Sequence, residues 1–513
     1  MAHKRLLRPS LVLAVVFGGV WAILEPRTAD LAAQVYRSDL FARNGFALWD
    51  NAWFAGHQVL DYSVVFPPLA SSVGLRVVGP LSVVVSVLCV EDLVTRLRAG
   101  TGPLVGTWFA VAAIGDLFIG RLTFALGTAV ALMALVALTR HRAFLGSVLC
   151  VACALTSPVA GLFLGLILAA GWGIAPTRVI LPAGTALALT LGIAAALFSD
   201  GGHEPDGVAT AIATTAAAIA VWLLLDPRER FLRRAVGLYA VASIAAYLLP
   251  TPMGSNVERL GILALGPIAL CARRRGAAPA FALCALALVA WQLQGPVTET
   301  VRAADSSATH AAYFAPLVAE LRAIAVNNER VEVVPTSTRW ESVYVAQQAV
   351  LARGWETQLD ATYNHLFYRR VITPSAYRRW LARLRVGYVA ISDSTPQSSG
   401  AAEARLLARP PRYLRLIWRS RHWRLYAVAD PQPITTGAAL VDLKPAQIVL
   451  RFAAAGSATV AVHYTSYWHA SAGACVRAGR GGTIRVAASR PGVVTVTADW
   501  NPTAVLDHDP CTS

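Results

Sequence analysis

The sequence predicts an α-helical polytopic membrane domain of about eleven spans, followed outside the membrane by an α/β region and a small β-sandwich. Three observations carry this. Of 513 residues, 56% are hydrophobic and only 14% charged, and the mean hydropathy is +0.52; a soluble domain carries about 25% charge. Long apolar runs up to residue 294 alternate with short arginine clusters. From about residue 436 short β-type runs are separated by Gly and Ser turns. The net charge of +16 sits in loops between apolar runs, the pattern of a membrane protein and not of a nucleic-acid-binding face.

The first run, Leu11–Leu24, follows Lys4, Arg5 and Arg8 and leads into Glu25-Pro26-Arg27 without a cleavage site, so it reads as an uncleaved span with a cytoplasmic N-terminus. Later spans are predicted at 79–95, 103–119, 122–138, two within 143–173 broken at Ser157-Pro158, then 179–198, 207–225, 235–250, 260–272 and 277–293. Whether 143–173 makes one kinked span or two is open. The clusters at Arg96/Arg98, Arg140/Arg142, Arg178, Arg228–Arg234 and Arg273–Arg275 then all face the cytoplasm. Residues 66–78 read as an interfacial or re-entrant helix after Pro67-Pro68. The three predicted parts are 1–294 (with an outer loop at 25–78), 295–435 and 436–513. The last two are expected to be extracytoplasmic, on the outer side of the plasma membrane. The middle part should hold a helix at 308–325 and strands at Val331–Val334, Val386–Ile391, Tyr413–Trp418 and Trp423–Val428. The final part should hold strands at Ile448–Phe452, Ala458–His463, Thr483–Val486 and Val493–Thr497.

Nucleotide-binding, zinc-protease and serine-hydrolase motifs are missing from the sequence. Chemistry-bearing residues gather in the first outer loop: Asp30, Asp39, Asp50, His57 and Asp61, with Trp49, Trp53 and Tyr62. Asp30 opens a predicted helix over 29–43, where an acid also suits the helix N-terminus. Asp39 is about two and a half turns further on, on another face, and also suits a solvated helix surface beside Arg37 and Arg43. Arg121 and Arg259 lie at outer span ends. Each could fork onto a phosphate, snorkel, or pair with a local acid such as Asp116 or Glu258. The loop 199–207, with Asp200, His203, Glu204 and Asp206, reads as hydrated. Of seven cysteines, Cys89, Cys150, Cys153, Cys271 and Cys284 fall in apolar runs and act as small hydrophobes. Cys475 and Cys511 fall in the outer part, where disulfides persist, and are expected to pair.

This layout resembles the GT-C superfamily of polytopic membrane glycosyltransferases. The likeness lies in Asp30 just after the first span, Trp49-Asp50-Asn51-Ala52-Trp53 and Phe66-Pro67-Pro68-Leu69 in a long outer loop, and a large outer C-terminal part. The stretches Tyr62–Leu69, Gly254–Leu260 and Leu351-Ala352-Arg353-Gly354-Trp355-Glu356 resemble an actinobacterial branch of large membrane proteins, and His463–Trp468 is similar to the tail of YfhO-type proteins. The resemblance implies transfer of a sugar from a polyprenyl-phosphate lipid carrier to a cell-envelope glycan, lipid or protein acceptor. Asp30 would be the base, with Asp39 second. Arg121 and Arg259 would hold the donor phosphate, and Trp49, Asp50, Trp53, His57 and Tyr62 would bind substrate. No D-x-D stands beside Asp30 to hold a divalent metal, so no cofactor is assigned. The competing reading is a transporter, lipid flippase or envelope-assembly scaffold. The nearly charge-free span centres speak against transport.

Overall fold

The computed structural model describes residues 8–97, 102–198, 200–272, 278–326 and 328–500. Its contacts divide the chain into two units: Met1–Asp39 with Asp61–Asp305, and Leu40–Leu60 with Ser306–Ser513. The predicted outer loop is therefore shared between them.

The first unit is helical: α1 (Pro9–Leu24), α2 (Ala29–Asn44), α3 (Phe66–Val73), α4 (Leu75–Leu97), α5 (Gly102–Ile119), α6 (Leu122–Thr139), α7 (Ala143–Thr156), α8 (Pro158–Gly171), α9 (Thr177–Leu197), α10 (Val208–Leu224), α11 (Arg230–Leu248), α12 (Glu258–Ala272) and α13 (Ala278–Asp305). All eleven apolar helices stand where hydropathy placed them. Among the described residues seven are long and apolar enough to cross a bilayer, or eight if α1 and α2, bent by 74° at their break, act as one. This corrects the expected eleven. The reason is length: α1, α7, α8 and α10 have 16, 14, 14 and 17 residues, at most about 26 Å at 1.5 Å per residue against roughly 30 Å of hydrocarbon. The protein is a multi-pass membrane protein. The helix expected over 66–78 ends at Gly74, whose φ of +94° is left-handed; residues from Leu75 already belong to the next span.

Contacts at helix ends sort them into two groups. In one group Arg8 pairs with Glu91 (2.5 Å) and Asp92 with Arg140 (3.0 Å). There too the Asp226 N–H bonds the Ala272 carbonyl (3.0 Å), and Arg234 bonds the Ala170 carbonyl (3.3 Å). In the other, Arg76 pairs with Glu25 (2.6 Å). The Val64 N–H bonds the Leu155 carbonyl (2.9 Å), and the Thr28 hydroxyl bonds the Ile119 carbonyl (2.6 Å). Helices α1 and α4 each have their two ends in opposite groups. Likewise α7 starts beside Arg140 and finishes beside Val64, while α8 finishes beside Arg234. Residues 143–173 thus form two legs that turn at Ser157-Pro158, where Ser157 caps α8 by accepting from the Ala160 N–H. Arg98 and Arg273–Arg275 lie outside the described residues.

The second unit has its own cores. A ribbon of β1 (Trp49–Asp50) and β2 (His57–Gln58) comes from the early segment. A four-stranded sheet joins β3 (Arg330–Val333), β4 (Val386–Ser392), β5 (Leu414–Arg419) and β6 (Trp423–Val428) in the order β3-β4-β6-β5, with β3 and β4 parallel. Helix α14 (Ala311–Ala323) precedes it; α15 (Glu341–Tyr344), α16 (Thr357–Tyr363) and α17 (Pro374–Arg383) fall between the parallel strands, and α18 (Ala401–Leu407) follows. Two further sheets form the expected sandwich from β7 (Thr435–Thr436), β8 (Ala439–Lys444), β9 (Gln447–Phe452), β10 (Gly456–Val460), β11 (Trp468–Ala470), β12 (Ala474–Ala478), β13 (Ile484–Ala488) and β14 (Gly492–Ala498). Alternation sets its core: Ile448, Leu450 and Phe452 point in with Ile484, Val486 and Val496, while Arg451 points out.

Candidate active site at one end of the helical unit

The turn Gly120-Arg121 between α5 and α6 builds the site. Gly120 has φ +92°, and a Cβ there would lie 2.6 Å from the Leu31 nitrogen and 2.7 Å from the Thr28 hydroxyl. Only glycine lets the first turn of α2 approach so closely. The approach sets Asp30 against Arg121: Arg121 Nε lies 3.2 Å from Asp30 Oδ2, its Nη1 3.2 Å from Asp116 Oδ1, and its Nη2 3.6 Å from Glu258 Oε1. One guanidinium thus joins acids from α2, α5 and the start of α12. Burial disfavours its charge, but Asp116, Asp30 and Glu258 outweigh that and hold it above the ordinary arginine value.

Asp30, Gln34 and Arg37 recur at helical spacing and share one face of α2. Gln34 accepts from the Thr123 hydroxyl (2.5 Å) and donates to the Tyr62 hydroxyl (3.0 Å), and Arg37 lies 3.6 Å over the Tyr62 ring. Tyr62, expected at the substrate, therefore borders the cluster. Asp39 is half-buried and is not among the acids on Arg121. Arg259 follows Glu258 directly. Its guanidinium lies 5.5 Å over Phe124, within electrostatic reach of Asp116, and its Nε is enclosed with no hydrogen-bond partner.

The other expected substrate residues fall in the second unit. Trp49, Asp50, Trp53 and His57 belong to the second unit and are buried there. Trp49 packs edge-on against Trp468 (5.9 Å) in the sandwich core, and its Nε1 donates to Asn51 (2.9 Å). Asp50 accepts from the Ala52 N–H (2.9 Å), Trp53 stacks on His57 (5.5 Å), and His57 lies 3.9 Å from Glu356. Sequence reasoning named Asp116 and Glu258 only as pairing partners, and it missed Gln34 and Thr123; the i, i+4 spacing of Asp30 and Gln34 was the available signal. Among the described residues no group of three His, Cys, Asp or Glu is arranged to hold a metal ion. Cys475, on β12, is disulfide-bonded; Cys511 lies outside the described residues.

A multi-pass helical unit with a cluster of ionisable side chains at one end, joined in one chain to an α/β sheet and a β-sandwich, is the class of protein these features define. No family model matches the sequence, and no curated protein is similar to it. Among solved structures, the cryo-EM structure of the arabinofuranosyltransferase AftD from mycobacteria aligns at a TM-score of 0.46 and 13% identity, over 97% of this chain and 58% of that one. The chain thus spans a little over half of that protein's length, and the similarity is too slight to carry residue roles across.

Proposed function

We propose that the protein is a GT-C-type membrane glycosyltransferase. In this reading it takes sugar from a polyprenyl-phosphate carrier and passes it to a cell-envelope acceptor, with the N-terminus in the cytoplasm and the second unit outside. One observation carries the reading: five ionisable side chains, Asp30, Asp116, Arg121, Glu258 and Arg259, gather at one end of an apolar bundle. Charges held against a bilayer are expensive and mark function.

The residues divide the work. Asp30, the most exposed of the three acids on Arg121, takes the proton of the acceptor hydroxyl as its oxygen attacks the anomeric carbon. The bond from that carbon to the carrier phosphate breaks, and the carrier leaves as the phosphate monoester with the electron pair. Arg259, with its unengaged Nε, stabilises that leaving charge. Arg121 is already shared by three carboxylates, so it positions Asp30 and does not bind the donor. A single displacement inverts the anomeric centre.

The test uses the purified chain in proteoliposomes with radiolabelled polyprenyl-phosphate pentose and hexose donors and an envelope extract as acceptor. The wild type should transfer label. Asp30→Asn should lose at least about a hundredfold, the size of a general-base contribution, while staying monodisperse. Undiminished transfer by Asp30→Asn would defeat the role of Asp30, and absence of transfer from every donor would favour the scaffold. The saturation of Arg121 by carboxylates is the feature that also suits a purely structural clasp.

A further inference from the structure

The second unit holds a concentration of positive charge that the transfer reading does not use. Arg330, at the start of β3, is completely buried. Fully buried arginines are almost always paired with an acid. This one instead donates to the backbone carbonyls of Leu384 (2.8 Å) and Ala461 (2.5 Å), and its Nε has no partner. Arg385 lies beside it, joined by the Arg330 N–H to Arg385 carbonyl bond (2.8 Å), and its Nε is likewise enclosed and unengaged. Arg383 donates to the Tyr363 carbonyl (2.9 Å), and the Tyr363 ring stacks on His463 (4.6 Å, 22°).

Among the described residues neither Arg330, Arg383 nor Arg385 has an acid partner. Glu332, two residues along β3, faces Arg353 at 3.8 Å. Glu329 leans over Gly387, and Glu356 lies 3.9 Å from His57. Burial and like charge act together on the group. Burial, then Arg385, pushes Arg330 down to about 9, so it stays charged at neutral pH. Burial, then Arg330, Arg383 and His57, pushes His463 down to about 4, so its ring is neutral there.

From this geometry we propose that the cluster binds an oxyanion, a phosphate or carboxylate group carried on a compact ring such as a sugar. Arg330 forms the charged floor and Arg383 and Arg385 the half-open rim. The stacked Tyr363 and His463 rings form an aromatic wall beside the arginines for the body of the ligand, with the His463 ring held by its bond to the Phe54 backbone. A structural staple would need only the two carbonyl bonds of Arg330; the two rim arginines beside it, with no acid partner among the described residues, are what a staple leaves unexplained.

The test reads binding with no glycosyl donor present, so it stands or falls apart from the transfer reaction. The full chain in detergent is titrated with inorganic phosphate and, separately, with glucuronate, against chloride at matched ionic strength, and its melting temperature is followed. Saturable stabilisation by either anion beyond chloride is expected. In Arg385→Gln and in Arg383→Gln the half-saturating concentration should rise about tenfold or more, the loss of one charge-assisted hydrogen bond. The tighter of the two anions identifies the source as a phosphate or an acidic sugar. Stabilisation no greater than with chloride, or equal in the wild type and both variants, would overturn the site. Arg330 itself is left intact because its removal threatens the fold.

Discussion

Replacing Glu341 by glutamine should make the second unit less sensitive to pH. Glu341 is buried in α15, where Oε2 accepts from the Thr336 hydroxyl (2.6 Å) and Oε1 from the Thr336 N–H (3.3 Å). Thr336 is in turn 3.3 Å from the Thr338 hydroxyl, which donates to the Ala308 carbonyl (2.7 Å). Burial pushes the carboxyl up from 4.5 to about 7. Since the folded value is raised, the contribution of Glu341 to stability is complete below about pH 4.5 and is lost as pH rises through 7. A shift of that size corresponds to about 3 kcal/mol. Glutamine keeps the shape, accepts from the Thr336 N–H through its carbonyl, and carries no charge to desolvate. Burial raises Glu403 to about 7 as well, and Glu332 well above its ordinary value, so the wild type should lose stability over the same window for more than one reason. The difference between wild type and Glu341→Gln isolates the one residue. Hydrogen exchange of the peptide spanning Thr336–Tyr344, corrected for intrinsic rates, should show protection falling between pH 5 and 8.5 in the wild type and falling less in the variant. Parallel losses in the two proteins would refute the reasoning.

Three further outcomes follow from the packing. Gly120→Ala should separate Asp30 from Arg121, since the left-handed φ and the contacts with Leu31 and Thr28 leave no room for a Cβ. A thermal melt should register a loss of about 1–3 kcal/mol, and an unchanged melt with full transfer would contradict the site's construction. Arg353→Met should cost about 3–5 kcal/mol, because Arg353 bonds Asp360 in a fork, faces Glu403 at 3.5 Å and Glu332 at 3.8 Å, and is the cation those three buried acids share; its melting temperature should fall furthest above pH 7. Cys475 should map to Cys511 in a non-reduced digest, closing a loop of about 37 residues worth roughly 3–4 kcal/mol on the chain-entropy model. Recovery of both as free, alkylated thiols would exclude the bridge.

The helical unit was legible because hydropathy and arginine clusters are local signals. Asp30, Arg121 and Arg259 could be picked out for the same reason, as polar residues just where apolar runs end. Asp116 is harder to see because it lies inside a run that scores as a span. The burial of Trp49, Asp50, Trp53 and His57 in the second unit was hidden on a different ground. Aromatic and acidic residues in an outer loop look like a ligand face, and nothing within the loop tells that Trp49 meets Trp468 in the core of the sandwich. The Arg353 network was invisible in the same way, although its motif stood out: Glu332, Asp360, Tyr377 and Glu403 come from separate elements with no shared spacing. Strands β8 and β12 escaped because each is a sheet edge with charged residues, Asp442 and Lys444 in one and Arg477 in the other, that blur the alternation.

The early segment Leu40–Leu60 has a consequence for how the chain is made. Its bonds run to residues synthesised far later: Asn51 to Pro445 and Lys444, Ala52 to Leu351, and Ala55 to His463. At about 5–20 residues per second, the roughly 300–400 residues between these partners take tens of seconds to emerge. For that interval Trp49 and Trp53 are without the cores that bury them, and the second unit cannot close until the last strands arrive. The tail beginning at Ser306, made alone, would lack Trp49 and leave a gap in its sandwich. Supplying the 40–60 segment as a separate peptide is then the direct way to ask whether that gap is what keeps the tail from folding.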